Sequence, residues 1–147
     1  MKTLFPSLRV SDVDASLRFY GVLGYQVVGR VDAEPRLVML ALPEEAEVSL
    51  ELVHRADTGP VDPGGFDHLA VQVDDLEATR ADLVAAGLEP DGVEVPGGPR
   101  GPRTVRVVDP DGYPLELVQW PPGHPVGMTR EDFALTRPDV RTEESRS

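Results

Sequence analysis

The sequence has 147 residues, and 40% of them are hydrophobic, which is enough for one domain with a buried core. It contains no cysteine, which excludes disulfides, thiolate metal sites and cysteine nucleophiles. The formal net charge of −12 would repel a phosphate backbone, and no apolar run is long enough to span a membrane. We therefore expect neither a nucleic-acid nor a membrane partner, and the lack of an apolar leader predicts a cytoplasmic protein.

In chain order, the first half of the sequence predicts one strand, one helix and three further strands. Residues 4–10 alternate between apolar and polar side chains, as a strand does. Asp12 is a good N-cap for a helix that ends at Gly21 or Gly24. The three further strands are predicted near residues 25–31, 36–42 and 47–54.

The second half repeats this order after a linker at residues 55–65, which is rich in glycine and proline. Residues 67–73 predict the opening strand. Asp74 or Asp75 then caps a helix, and Gly87 ends it. The remaining strands are predicted near residues 92–95, 103–109 and 114–120.

The segment from Pro121 to the end is proline-rich and polar, unlike the rest of the chain. Residues 129–133 predict one short helical turn, and we expect disorder beyond Arg137. The sequence therefore predicts a domain at residues 1–120 followed by a tail at residues 121–147.

An internal repeat relates the two halves. Residues 8–12 and 71–75 each read as the end of a strand followed by an acidic helix start, at an offset of 63 residues. The tetrapeptide Leu-Glu-Leu-Val occurs at residues 50–53 and again at 115–118, at an offset of 65. Several matches in order at nearly one offset indicate a duplication. The chain is thus predicted to be an α+β fold of two βαβββ modules, at about residues 4–54 and 66–120.

The repeated tetrapeptide carries the most informative candidate residues, Glu51 and Glu116. Alternate residues of a strand share a face, so Leu50 and Leu52 point one way and Glu51 points the other. A carboxylate inside an apolar strand is costly unless it is paired, protonated or bound to a metal. Two such carboxylates at matching places in a duplicated module favour a shared function.

His68 opens the second module, and its counterpart in the first module, at the offset of 63, is Phe5. The two modules would therefore place Phe5, Glu51, His68 and Glu116 at four related positions. One histidine and two carboxylates form a mixed nitrogen and oxygen set suited to Zn²⁺, Ni²⁺, Co²⁺, Mn²⁺ or Fe²⁺, with positions left for water or substrate.

The chain resembles the vicinal oxygen chelate superfamily in three segments. Residues 8–12 and 16–20 resemble its opening strand and helix, residues 67–71 resemble the opening of its second module, and residues 109–117 resemble its closing hairpin and strand. This superfamily contains glyoxalases, bleomycin-resistance proteins and ring-cleaving dioxygenases. The resemblance covers about residues 4–120. It implies two tandem modules that form a half-open barrel with the helices outside, and it implies a homodimer.

The resemblance also implies that Glu51, His68 and Glu116 are metal ligands. Phe5 stands where glyoxalase-like members have histidine or glutamine, so the fourth ligand is missing. Neither His54 nor His124 is expected to replace it, because His54 should face the other side of its strand and His124 lies in the tail. The sequence offers no nucleophile–base relay and no phosphate-binding loop.

The first functional hypothesis is a divalent-metal-dependent, glyoxalase-like lyase or isomerase acting on a small carbonyl or enediolate-forming substrate. Glu51 or Glu116 would shuttle a proton at the carbon beside the polarised oxygen, as the resemblance suggests. Arg9 and Arg106 would bind an anionic group of the substrate. Alternatively, these two arginines are surface charges or ion-pair partners of the glutamates.

The second hypothesis is a metal-free protein that sequesters an aromatic or cationic ligand, as bleomycin-resistance proteins do. Phe5 in place of a ligand, Trp120 on the face of Glu116 and the acidic composition suit that function. A third hypothesis is a domain whose site has decayed and which serves only as an interaction module.

Overall fold

A computed structural model describes residues 1–124 and 128–131 of the protein. Its first half has the predicted order of one strand, one helix and three strands. These strands form one sheet in the order β1-β4-β3-β2, in which β1 runs parallel to β4 and the other pairs are antiparallel. The elements are β1 (Ser7–Arg9), α1 (Val13–Val22), β2 (Gln26–Val31), β3 (Arg36–Ala41) and β4 (Leu50–His54).

The second half forms a smaller sheet in the order β5-β7-β6. Its elements are β5 (Leu69–Gln72), α2 (Leu76–Ala85), β6 (Arg103–Val108) and β7 (Pro114–Gln119). No strand pairing joins the two sheets among the described residues, so they do not close into a barrel. This agrees with the predicted α+β fold of two modules.

One predicted strand of the second module is reduced to a single bridge. The prediction of a strand near residues 92–95 was wrong, because only Glu94 pairs there, with Thr104 of β6. Pro90 and Pro96 flank this segment and have no N–H to give to a ladder. The second sheet therefore has three strands where the first has four.

The register of the parallel strands is the same in the two modules. Ser7 of β1 is the partner of Glu51 in β4, and Ala70 of β5 is the partner of Glu116 in β7. The repeat predicted from the sequence is thus confirmed at the level of individual residue pairs.

Each helix begins at an aspartate that accepts a backbone hydrogen bond. Asp12 accepts from the Ala15 N–H and Asp75 from the Ala78 N–H, both at 3.0 Å. Asp75, and not Asp74, is therefore the N-cap of α2. Gly24 follows α1 and Gly87 follows α2 with positive φ angles of 98° and 83°, a conformation that ends helices at glycine.

Both sheets and both helices contribute to one hydrophobic core. The apolar residues beside each repeated glutamate are fully buried in it, namely Leu50 and Leu52 of β4 and Leu115 and Leu117 of β7. The buried residues of the helices lie in the same cluster, so the helices cover this face of the sheets. The helical members are Val13, Phe19, Tyr20, Leu76 and Leu83.

Among the described residues, no helix has the length and apolar character needed to cross a bilayer. In the tail, Arg130 and Glu131 are helical. Thr129 is described but not helical, while residues 132–133 of the predicted turn and the predicted disorder beyond Arg137 lie outside the described residues.

Candidate functional site

Glu51 and Glu116 lie on the faces of their sheets that point away from the core. Leu50 and Leu52 beside Glu51 are buried, and alternate residues of a strand face opposite ways. The same holds for Glu116, whose side chain is 23% exposed. Because both leucine pairs are buried in one core, the two carboxylates point away from that core, each on a different sheet.

The carboxylate of Glu51 is held by a neutral donor. The Ser7 hydroxyl donates a hydrogen bond of 2.6 Å to Glu51 Oε1 across the β1–β4 pair. On the other side of β4, the strand partner of Glu51 is Met39. Glu51 is therefore oriented by a hydroxyl group and has an uncharged thioether as its second neighbour.

The carboxylate of Glu116 is held by a cation. Arg106 Nη2 lies 3.2 Å from Glu116 Oε2, and the two residues are direct partners in the β6–β7 ladder. At the place of Ser7, the second module has Ala70, which has no side-chain donor. The two glutamates thus occupy equivalent positions but have chemically different neighbours.

His68 directly precedes β5 and lies two residues before Ala70, the strand partner of Glu116, so it lies near the same face. Its Nδ1 contacts Asp67 Oδ1 at 2.5 Å. This hydrogen bond and the charge of His68 lower the pKa of Asp67. In the neutral imidazole, Nδ1–H donates to Asp67 and Nε2 remains as the nitrogen that can bind a metal, the usual arrangement of a carboxylate–histidine–metal unit.

Phe5 lies two residues before Ser7, the strand partner of Glu51, just as His68 lies two residues before Ala70. We call Phe5 with Glu51 the first half-site and His68 with Glu116 the second half-site. Within residues 1–124 and 128–131, no three histidine or carboxylate side chains come close enough to share a metal ion. One chain therefore presents the predicted ligands as two separate halves.

The donor chemistry of the two half-sites suits a divalent ion. Imidazole Nε2 with two carboxylates is the nitrogen and oxygen set that Zn²⁺, Ni²⁺, Co²⁺, Mn²⁺ and Fe²⁺ accept. A single chain does not bring the two half-sites together, because Glu51 is on one sheet while His68 and Glu116 belong to the other module.

Arg9, predicted as an anion-binding residue, lies against the linker. Its guanidinium donates to Thr58 Oγ1 at 2.6 Å, to the Gly59 carbonyl at 3.2 Å and to the Pro60 carbonyl at 2.8 Å. These bonds fix the segment between the modules. Arg106, the other predicted anion-binding residue, lies against Glu116.

Trp120 stacks on His124, with 4.8 Å between the ring centroids and 20° between the ring planes. The pair borders a cavity of about 500 Å³ at the end of β5 and β7, which Gln72 and Asp74 also line. Trp120 therefore presents an aromatic surface beside polar side chains in an open surface depression.

Sequence reasoning assigned no role to Ser7 or Asp67, the residues that orient Glu51 and His68. A signal for Asp67 was present, since a carboxylate next to a candidate histidine ligand often orients it. Ser7 gave a weaker signal, because its contact depends on the register of β1 against β4.

Comparisons with known proteins place the chain in a family and support its fold. The sequence model of the Glyoxalase/Bleomycin resistance protein/Dioxygenase superfamily matches residues 4–117. A probable lactoylglutathione lyase of Synechocystis sp. is 35% identical over 81% of this chain and 95% of its own length. The trypanothione-dependent glyoxalase I of Leishmania major is 27% identical with a TM-score of 0.66, covering 99% of this chain and 97% of that chain. TnmS3, an antibiotic-binding protein from Streptomyces, is 25% identical with a TM-score of 0.65, covering 82% and 98%.

Proposed function

This chain belongs to the Glyoxalase/Bleomycin resistance protein/Dioxygenase superfamily, and from that premise we propose that it is a divalent-metal-dependent lyase or isomerase. The substrate class is a small carbonyl compound that forms an enediolate, as in the reaction of the lactoylglutathione lyases that it resembles. The observation that carries the proposal is the matched placement of Glu51 and Glu116 in two modules of identical register.

We further propose that two copies of the chain form a homodimer that assembles the site. In one chain, the buried leucines beside Glu51 and Glu116 share a single core, so the half-sites face away from it on separate sheets. A second copy related by a twofold axis would set the first half-site of one chain against the second half-site of the other. Both sites of the dimer would then be identical.

In this site, Glu51, His68 and Glu116 would hold the metal, with Asp67 orienting the imidazole and Ser7 orienting Glu51. A divalent ion supplies Lewis-acid polarisation of the substrate oxygen when bound. The glutamates are the groups that would take up and return a proton at the neighbouring carbon. Phe5 offers an apolar surface at the fourth position, where it would contact substrate.

The test compares the metal content and the turnover of wild type with those of Glu116→Gln. Wild type is expected to hold about one divalent ion per chain and to isomerise the hemithioacetal of glutathione and methylglyoxal to lactoylglutathione, and Glu116→Gln is expected to lose both. Glu77→Gln is the matched control, since Glu77 also pairs with an arginine of β6, Arg103, but does so on the surface. Wild type that holds no metal after incubation with divalent ions would contradict the proposal.

A second candidate function, metal-free sequestration of an aromatic ligand, is favoured by two separate observations on aromatic residues. Phe5 replaces a ligand, and Trp120 borders the cavity near Gln72 and Asp74. The structural similarity to an antibiotic-binding protein supports the same reading. Trp120 is the single tryptophan, so its fluorescence reports binding directly. Saturable quenching by planar aromatic cations, with no turnover and no metal, would establish this function in place of the first.

A further inference from the structure

The two repeated glutamates differ in the residue that faces each of them across the antiparallel ladder. Met39 faces Glu51 in the first module, and Arg106 faces Glu116 in the second. Because both ladders have the same topology, Met39 and Arg106 are positional equivalents. One predicted metal ligand therefore has a neutral neighbour and the other has a cation.

We propose that Arg106 competes with a divalent metal ion for Glu116 and so lowers the metal affinity of the site. This inference rests on the proposed metal-dependent function. Arg106 Nη2 occupies a lone pair of Glu116 Oε2 at 3.2 Å. A metal that binds Glu116 through Oε2 competes with the guanidinium for that oxygen, and a metal that binds through Oε1 lies near the positive charge of Arg106.

The ion pair is weak enough to be exchanged. The Arg106 side chain is 48% exposed, so water screens the pair and solvates the guanidinium once it is displaced. The contact is also a single hydrogen bond, not the bidentate fork that gives strong arginine–carboxylate pairs. Arg106 therefore lowers the metal affinity of the site without preventing metal binding.

Arg106→Met tests this directly, because methionine is what the chain itself uses at the equivalent position of the first module. Arg103→Met is the matched control. It removes the same charge from the same strand and breaks another arginine–glutamate pair, Arg103 with Glu77. Arg106→Lys keeps the charge and loses the guanidinium geometry. Titration calorimetry of the metal-stripped full chain with Zn²⁺ gives the dissociation constant of each variant, and thermal unfolding without metal verifies that each is folded.

Arg106→Met is expected to bind Zn²⁺ about fivefold more tightly than wild type, the upper range for loss of one solvent-screened ion pair. Arg106→Lys is expected to change the affinity by roughly threefold or less, and Arg103→Met by less than about twofold. Unchanged or weaker binding by Arg106→Met, with metal bound by wild type, would overturn the inference and leave the proposed function standing. Failure of wild type and all variants to bind Zn²⁺ would overturn both.

Discussion

The Tyr20 hydroxyl in α1 donates a hydrogen bond of 2.8 Å to Asp109 Oδ2, in the turn between β6 and β7 of the other module. Asp109 is only 5% exposed, and its Oδ1 accepts from the backbone N–H groups of Asp111 and Tyr113, both at 2.9 Å. Nearby, Ser11 of the first module donates to Asp111 from its backbone and its hydroxyl. A buried carboxylate thus connects the two halves of the duplicated chain.

Replacing Tyr20 with phenylalanine leaves the ring in the core and removes the donor to Asp109. We expect the free energy of unfolding to fall by about 1–3 kcal/mol, because a buried carboxylate loses a partner. Urea unfolding followed by circular dichroism measures this. Tyr25→Phe is the control, since no hydrogen bond from the Tyr25 hydroxyl is seen within the described residues. Equal stability of Tyr20→Phe and wild type would show that this hydrogen bond contributes nothing.

Burial raises the pKa of Asp109, and the hydrogen bonds from Tyr20 and from the backbone of Tyr113 and Asp111 offset this only in part. The folded protein therefore holds the Asp109 proton more tightly than the unfolded chain does. Its contribution to stability is fully present below the ordinary pKa of 3.8 and is lost as the pH rises through the folded value. The difference in unfolding free energy between wild type and Asp109→Asn should accordingly decline as the pH rises from about 4, and then level off. A difference that increases with pH would contradict the raised pKa.

Asp74 and Asp75 look alike in the sequence, but only Asp75 is the N-cap of α2. Asp75→Ala should lower the free energy of unfolding by about 1 kcal/mol, because the Ala78 N–H loses its acceptor. Asp74→Ala should change it by less than about 0.5 kcal/mol. Chemical denaturation of both variants measures the contrast, and a larger effect at Asp74 would reverse the assignment of the cap.

Asp67 is expected to matter for metal binding because it orients His68 through Nδ1. Asp67→Asn should weaken Zn²⁺ binding by about 10- to 100-fold, the usual effect of removing the partner of a histidine ligand. Asp82→Asn, at an exposed position of α2, is the control and should bind Zn²⁺ like wild type. If both variants match wild type, His68 does not depend on Asp67 for its orientation.

Much of the fold follows from local sequence patterns. The offsets of 63 and 65 residues predicted equivalent strands, and the structure has Ser7 opposite Glu51 and Ala70 opposite Glu116 in the same parallel register. The aspartates at the helix starts also acted as local signals, since capping depends on residues three apart. The prediction of a strand near residues 92–95 was wrong because the flanking prolines limit pairing to one bridge.

The candidate site was less accessible to sequence reasoning, because its contacts join residues far apart in the chain. Strand alternation predicted that Glu51 and Glu116 lie on the non-core faces, but it says nothing about how two sheets are arranged in space. The partner of Arg9 depends on the conformation of the linker, and loop conformation leaves little trace in composition. An ion pair between an arginine and one of the glutamates was an alternative that the sequence left open, and the register of β6 against β7 identifies it as Arg106 with Glu116.

The most direct test of the account is the metal content of a heterodimer purified from co-expressed Glu51→Gln and Glu116→Gln chains that carry different affinity tags. If each site combines Glu51 of one chain with His68 and Glu116 of the other, the heterodimer has one intact site and one site lacking both carboxylates. We predict about one tightly bound divalent ion per two chains in the heterodimer, about two in wild type, and none held as tightly in either mutant homodimer. A heterodimer that binds metal no better than the mutant homodimers would show that the half-sites do not combine between chains.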